Sequence, residues 1–270
     1  MKLLFIGDVA WDAGRTALEK HLPELRKTLK PDSVIVNGEN SAHGAGITEK
    51  IAEWMLNDLG VDCITGGDHS FDKREVIPYM AQQPRLIRPA NFPEMEGNGL
   101  YSFRDKEGRF VTVINLIGRV FTMPTLDCPF RKIDRILENI KLKQNTDAIL
   151  VDFHAEATSE KYCFANYVDG RVSAVLGTHT HVPTADHQIL PNGTAFQSDV
   201  GMAGCYRSSI GVDFKVPMQG FLKGRMLEKM EPANGEGTLC GSLVTIDDNT
   251  GKALRIDPVR IGGSDLSQTQ

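Results

Sequence analysis

Apolar positions along this chain fall in short runs separated by amphipathic or polar stretches. KLLFIGD (residues 2–8) reads as a buried strand, followed by a helix-like stretch from about Gly14 to Leu29. Pro31 and Asp32 then lead into a second strand, SVIVNGEN (33–40). Thr48 and Glu49 suit the start of a helix running to Leu59. VDCITGGDH (61–69) is a third strand, and KREVIPYMAQ (73–82) begins another helix despite Pro78. This βαβαβ alternation predicts a parallel sheet with right-handed crossovers. Further along, FVTVINLIG (110–118) is strand-like, and RKIDRILENIKLK (131–143) spaces Ile133, Ile136, Leu137 and Ile140 as a helix does. DAILVDFHAE (147–156) and VSAVLGTHTH (172–181) are two more buried strands. After about residue 185 the pattern becomes one of hairpins, with D-D-N-T-G as a turn signal. No repeat, low-complexity block or linker interrupts it. The expectation is an α/β fold in one domain over 1–270, with 262–270 as a flexible tail.

Composition adds mainly exclusions. With 41% hydrophobic and 24% charged residues, the chain has the make-up of an ordinary globular protein. A net charge of -5 argues against binding to duplex DNA or an anionic membrane. It leaves room for a phosphate-bearing substrate if bound metal ions supply the local positive charge. The first apolar run, LLFIG, is too short for a signal peptide, and no stretch approaches the roughly 20 apolar residues of a membrane span. Cys63, Cys128, Cys163, Cys205 and Cys240 are dispersed with no CxxC pair. They read as reduced thiols of a cytoplasmic protein rather than metal ligands.

The chemistry lies in where the polar residues fall. The first strand ends in Gly7-Asp8, the second in Gly38-Glu39-Asn40, and the third in Gly67-Asp68-His69. Two later runs end in Asp152-Phe153-His154 and Gly177-Thr178-His179-Thr180-His181. Ligands of α/β sheets bind at the carboxyl ends of the strands, so each run delivers a metal ligand to one edge. Taken singly, each residue is better explained as a turn, a cap or a structural histidine; five such ends in one chain are not. In an extended chain His179 and His181 point to the same side, facing one centre or two adjacent ones. Nitrogen and hard oxygen ligands without thiolate suit Mn²⁺, Fe or Zn²⁺, and more than four ligands point to two ions. A two-metal clamp suits phosphoryl transfer, and His69, directly after Asp68, is placed to protonate a leaving oxygen. The first strand-to-helix turn has neither GxGxxG nor a P-loop lysine, which sets aside a Rossmann-type nucleotide site.

The blocks LFIGDV, VNGENSAHG, GGDHSFDK, RPANFP, NLIGR, LDCPF, DFHAEATSEK, GTHTHVPTAD and SDVGMAG resemble the calcineurin-like metallophosphoesterases, and among them the YmdB-like phosphodiesterase family. They run from residue 3 to about 204. The resemblance implies an α/β/β/α sandwich and a dinuclear Fe or Mn centre. It also implies hydrolysis of phosphodiesters, cyclic nucleotides included, by attack of a metal-bound hydroxide. Carried onto this sequence, Asp8, Glu39 and His181 would hold one metal. Glu39 would bridge to a second, held also by Asp68, His154 and His179. Asn40 would serve as a further ligand or as a donor to the substrate phosphate, and His69 matches the catalytic histidine. RNA ends present the same reacting group, and a homo-oligomer is compatible with such an enzyme.

Two departures stand out. Asp8 is followed by Val9-Ala10 rather than the superfamily's Asp-x-His, which leaves the first metal poorer in nitrogen. The family's Gly-Asn-His is here Gly67-Asp68-His69, so a neutral amide with a free N–H₂ donor is replaced by a carboxylate. The expectation is stronger metal retention and weaker attraction for a phosphodiester anion. The alternative reading is a metal-containing, nucleotide-binding regulatory protein with little turnover. Arg88, Asn91, Arg119 and Arg171 are further candidates to approach a phosphate, although surface solvation accounts better for each arginine taken alone.

Overall fold

The apolar runs separate by alternation into two faces, and both faces are buried. In the first strand, β1 (Lys2–Ile6), Leu3 and Phe5 point one way while Leu4 and Ile6 point the other. Leu3 and Phe5 meet Val113, Leu150 and Leu176 of a second sheet; Leu4 and Ile6 meet Leu18, Leu22 and Met55 of helices. A strand covered on both sides has no polar alternation, which is why these runs are continuous in sequence. A third apolar layer joins Ile149, Val151 and Phe153 to Phe164 and Phe196 on the far side of the second sheet. The result is an α/β/β/α sandwich, seen in a computed structural model that describes residues 1–122, 125–225, 228–263 and 266.

The elements in chain order, after β1, are β2 (Asp8–Val9), α1 (Trp11–Leu29), β3 (Ser33–Asn37), α2 (Glu49–Glu53), β4 (Cys63–Thr65), α3 (Val76–Gln82) and β5 (Leu100–Arg104). There follow β6 (Phe110–Ile117), α4 (Pro129–Asn139), β7 (Ala148–His154), α5 (Thr158–Tyr167) and β8 (Ala174–Thr178). The chain continues through β9 (Gln188–Ile189), β10 (Ala195–Gln197), β11 (Met202–Gly204), α6 (Lys215–Lys223), β12 (Thr238–Ile246) and β13 (Ala253–Ile261). The first sheet has the order β2-β11-β12-β1-β3-β4, with β13 on β12; the second is β5-β6-β7-β8-β10-β9.

The expected βαβαβ unit is present as parallel β1, β3 and β4, but antiparallel β12 lies against β1 and makes the sheet mixed. The expected hairpins are β9–β10 and β12–β13, the latter turning through Asp247–Gly251. Several elements differ from expectation for visible reasons. The helix expected to reach Leu59 is α2 followed by a π turn over Trp54–Asp58, which buries Met55 and Leu56. The third strand is only Cys63–Thr65, because Gly66 and Gly67 begin a polar loop. Helix α5 was not expected, since Tyr162, Cys163, Phe164 and Ala165 are consecutive rather than spaced. Helix α6 carries Pro217 and Gly220, which disguise it within a region read as hairpins. Of the expected tail, Gly262 accepts a hydrogen bond from the Thr238 hydroxyl; 264–265 and 267–270 lie outside the described residues. Among the described residues, no helix is long and apolar enough to cross a membrane.

Candidate metal centre

Strands β1, β3 and β4 of one sheet and β7 and β8 of the other end at the same rim of the sandwich. Asp8 follows β1 across Gly7, Glu39 and Asn40 follow β3, and Asp68 follows β4. His154 closes β7, and His179 and His181 follow β8. Glu39, Asp68, His154 and His179 bring one ligand atom each into a group whose members all lie within 4.8 Å of one another. His154 Nε2 is 2.9 Å from Asp68 Oδ1, 3.4 Å from Glu39 Oε1 and 3.0 Å from His179 Nδ1. This quartet coincides with the set that the resemblance assigned to the second metal. Asp8 joins it at the back, its Oδ2 accepting from the His179 backbone N–H at 3.2 Å and its Oδ1 3.7 Å from His154 Nδ1. Asn40 Oδ1 and His181 Nε2 face each other at 3.1 Å as a second pair.

Each imidazole is aimed by what its other nitrogen touches. Thr178 Oγ1 donates to Asp152 Oδ1 at 2.7 Å, so it presents a lone pair to His154 Nδ1 at 2.9 Å. The proton of His154 therefore sits on Nδ1 and its Nε2 lone pair faces the quartet. Asp152 in turn accepts from Thr65 Oγ1 and Asn37 Nδ2, and burial pushes its carboxyl up to about 7. His179 turns Nε2 to Glu156 (3.1 Å) and Nδ1 to the quartet; His181 turns Nδ1 to the Ile210 carbonyl (2.9 Å). His69 pairs Nδ1 with Asp72 Oδ2 at 2.8 Å, leaving Nε2 toward the cleft, 3.7 Å from Asp68 Oδ2.

The histidine pair corrects the extended-chain expectation. Strand β8 stops at Thr178, and His179 and His181 sit at φ of 98° and 65°. The rings accordingly diverge, one toward His154 and the other toward Asn40. Left-handed backbone at a non-glycine residue costs on the order of 1–3 kcal/mol and persists only where its surroundings enforce it. The loop after β4 is equally constrained: a Cβ at Gly67 would collide with the Glu39 carboxylate and the His154 ring. Glycine is the residue that lets this loop close over the quartet.

The electrostatics ask for a cation. Burial, then the charges of Asp68 and Asp8, raise the Glu39 carboxyl well above its ordinary range. Burial also lowers the pKa of His154. Burial opposes ionisation of Asp68, but the adjacent His154 and His179 rings hold its carboxyl far below the usual range. Burial lowers the pKa of His179 as well, and Asp68, with the charges of Asp8 and Glu156, more than reverses it. Asp8 Oδ1 is buried with no hydrogen-bond partner. Lone pairs of carboxylates and imidazoles thus converge with only protons to share. A metal ion fits these donors, all nitrogen and hard oxygen; none of the five cysteines is in a disulfide or among them.

The quartet opens into a cleft of about 560 Å³. Glu39, Asn40, His69 and the two histidines form one side, and Trp11, Ile210, Val212 and Met230 an apolar flank. Lys229 stands at the rim, and a hollow of about 750 Å³ beside α1 shares Trp11, His43, Lys229 and Met230 with the cleft. Helix α1 begins at Trp11, whose N–H donates to the Asn40 carbonyl, so the flank is tied to the ligand loop.

The chain matches the model of the YmdB-like proteins over residues 4–259. It belongs to that family. It is 45% identical over 262 residues to the 2',3'-cyclic-nucleotide 2'-phosphodiesterase of Bacillus subtilis, with 97% of each chain covered. A novel phosphatase of Mycoplasma pneumoniae superposes with a TM-score of 0.89 at 34% identity, covering 97% of this chain and 93% of that one. A hypothetical protein of Thermus thermophilus also gives 0.89, at 40% identity, covering 98% of this chain and all of its counterpart. The chain is accordingly a hydrolase of the phosphoesterase class.

The other candidates serve elsewhere. Arg88 is buried, not solvated, and donates to the carbonyls of Pro89, Met95 and Glu96. Asn91 bridges the Ile117 and Asp127 carbonyls, and Arg171 pairs with Asp134. Arg119 is exposed, its backbone N–H bound by Glu160. Residues that sequence reasoning passed over are Asp72, Glu156, Thr178 and the Ile210 carbonyl. Asp72 and Glu156 lay within recognised blocks, two or three positions from a histidine; a carbonyl in a distant segment leaves no signal.

Proposed function

We propose that the chain is a dinuclear-metal-dependent phosphodiesterase acting on small diesters such as 2',3'-cyclic nucleotides. The observation that supports it most is the convergence of unprotonated His154 Nε2 with Glu39, Asp68 and His179 at the rim. In this reading Glu39, Asp68, His154 and His179 hold one ion. Asp8, Glu39 and His181 hold the other, with Asn40 as further ligand or substrate donor. Iron or manganese suits this set, and zinc is compatible with it. Two bound ions would supply positive charge to the phosphoryl oxygens and make a neighbouring water more acidic.

The chain's own residues do the rest. His69 delivers a proton to the leaving oxygen from Nε2, with Asp72 fixing the ring through Nδ1. The apolar flank of Trp11, Ile210, Val212 and Met230 receives the base and sugar, and Lys229 meets an anionic rim group. The adjoining hollow offers room for a longer substrate such as an RNA end. Because ligands come from both sheets, we read residues 1–270 as one working unit. Cysteines without disulfides suit a cytoplasmic setting.

Elemental analysis of the purified protein, followed by hydrolysis assays with Mn²⁺, Fe²⁺ or Zn²⁺ returned to the apoprotein, tests this reading. Metal-dependent cleavage of bis(p-nitrophenyl) phosphate and of a 2',3'-cyclic nucleotide is expected, and loss of both in His154→Ala. A fully metallated protein inert toward every phosphoester sinks it. Asp68, which lacks the amide donor of the family pattern, favours the second reading of a nucleotide-binding regulator. Tight nucleotide binding without turnover would support that alternative.

A further inference from the structure

One buried ion pair beside the site belongs to neither the ligands nor the cleft lining. Lys161, on α5, and Asp199, after β10, are both about 1% exposed, with Nζ and Oδ2 3.0 Å apart. Lys161 Nζ also donates to the Thr178 carbonyl at 2.8 Å. The same Asp199 Oδ2 accepts from the Thr180 backbone N–H at 3.0 Å and from the Thr180 hydroxyl at 2.8 Å. Its Oδ1 accepts from the Gly201 N–H at 2.9 Å, which anchors the carboxylate to the start of β11. The pair therefore grips the backbone on both sides of His179.

His179 and His181 hold a backbone conformation that side chains rarely adopt. Something outside the loop must impose it, and the bonds to Thr178 and Thr180 act at the two positions that bracket His179. A buried ion pair adds little net stability over apolar side chains of the same volume. Folding alone thus gives no reason for a lysine in this core. We propose that Lys161 and Asp199 are positioning residues that preorganise the β8 loop, so that His179 Nδ1 and His181 Nε2 face the metal centre. This rests on the reading of His179 and His181 as metal ligands. Neither residue of the pair reaches the cleft.

Direct titration of the apoprotein with Mn²⁺, following free Mn²⁺ by its paramagnetic resonance, separates this role from plain stability. The double variant Lys161→Met/Asp199→Leu removes both charges together, leaving no orphan ion. It should stay folded, with some loss of stability because Thr180 and Gly201 lose an acceptor, and bind Mn²⁺ roughly 10–100-fold more weakly, the usual effect of losing a group that orients a ligand. Lys161→Met/Asp199→Asn also lacks the ion pair but keeps an acceptor for Thr180, and should recover most of the affinity. Parent affinity in a folded leucine variant overturns the proposal. Should that variant not fold, Thr180→Val deletes one bond to Asp199 without touching the pair; a several-fold weakening is expected, and none overturns the proposal. His154→Ala is the control. If it too retains Mn²⁺, the metal reading itself fails; if it alone loses Mn²⁺, only the positioning role fails.

Discussion

The two sheets contribute different chemistry to the site. Strands β1, β3 and β4 of the first sheet deliver Asp8, Glu39 and Asp68, all carboxylates; β7 and β8 of the second deliver His154, His179 and His181, all imidazoles. Asp8 and Glu39 are buried at 0% and 2% exposure and meet mainly backbone N–H groups and the histidines. The imidazoles are each anchored through the second nitrogen, to Thr178, Glu156 and the Ile210 carbonyl. One side supplies charge that is costly to bury, and the other supplies ring nitrogens already aimed. Neither side alone gathers the quartet, so the packing of sheet on sheet is what creates it.

That contrast can be broken at several points. The largest expected effect is at the rim between the two sides. His69→Ala should reduce turnover by roughly 10²–10⁴-fold on a diester with an alkoxide leaving group. With p-nitrophenolate, which leaves without a proton, the loss should be far smaller, and metal content should not change. Equal losses on both substrates would exclude His69 as the acid.

Gly67→Ala attacks the seam itself by driving a methyl group into Glu39 and His154. A stability loss of about 1–3 kcal/mol is expected from overpacking, measured by urea denaturation, together with weaker Mn²⁺ binding. An alanine variant that binds Mn²⁺ as the parent does would mean the loop has slack to spare. Asp68→Asn sharpens the comparison by taking one charge from the carboxylate side. Metal retention should fall by about tenfold, while KM for a diester anion falls because an amide donor replaces a like charge. Unchanged retention and unchanged KM together would remove any special role for this carboxylate. The smallest effect belongs to the flank: Ile210→Ala should raise KM for a nucleotide by roughly threefold and leave kcat alone. A change in kcat would instead implicate the Ile210 carbonyl and the His181 ring it holds.

Much of this site could be read in the sequence because both signals were local. A buried strand ending in glycine and an acid or histidine shows itself in three or four consecutive residues, as at Gly7-Asp8 and Gly38-Glu39-Asn40. The recognised blocks grouped Glu39 with Asp68, His154 and His179, and the structure brings those four side chains together. What was hidden depended on distance or on backbone shape. Nothing in GTHTH announces that the strand stops at Thr178 and that both histidines adopt positive φ. Helix α5 escaped notice because its buried face includes Lys161, which looks like a solvent residue in any periodic reading. The antiparallel β12 between β1 and β13 was invisible to a βαβ pattern, since its partner lies some 240 residues away, with Lys2 opposite Thr245.

That last pairing has a consequence for how the protein comes into being. The strand that leads to Asp8 is made long before the neighbour that covers one edge of it, since Lys2 pairs with Thr245. Until residues 238–246 emerge, β1 has one open edge, and the β2–β11 pair lacks the strand that β11 shares with β1. The carboxylate half therefore gains its full sheet only once β12 is made, although β6, β7 and β8 can pair as soon as they appear. A nascent fragment ending before β12 would carry every proposed ligand on a first sheet that still lacks its central strand.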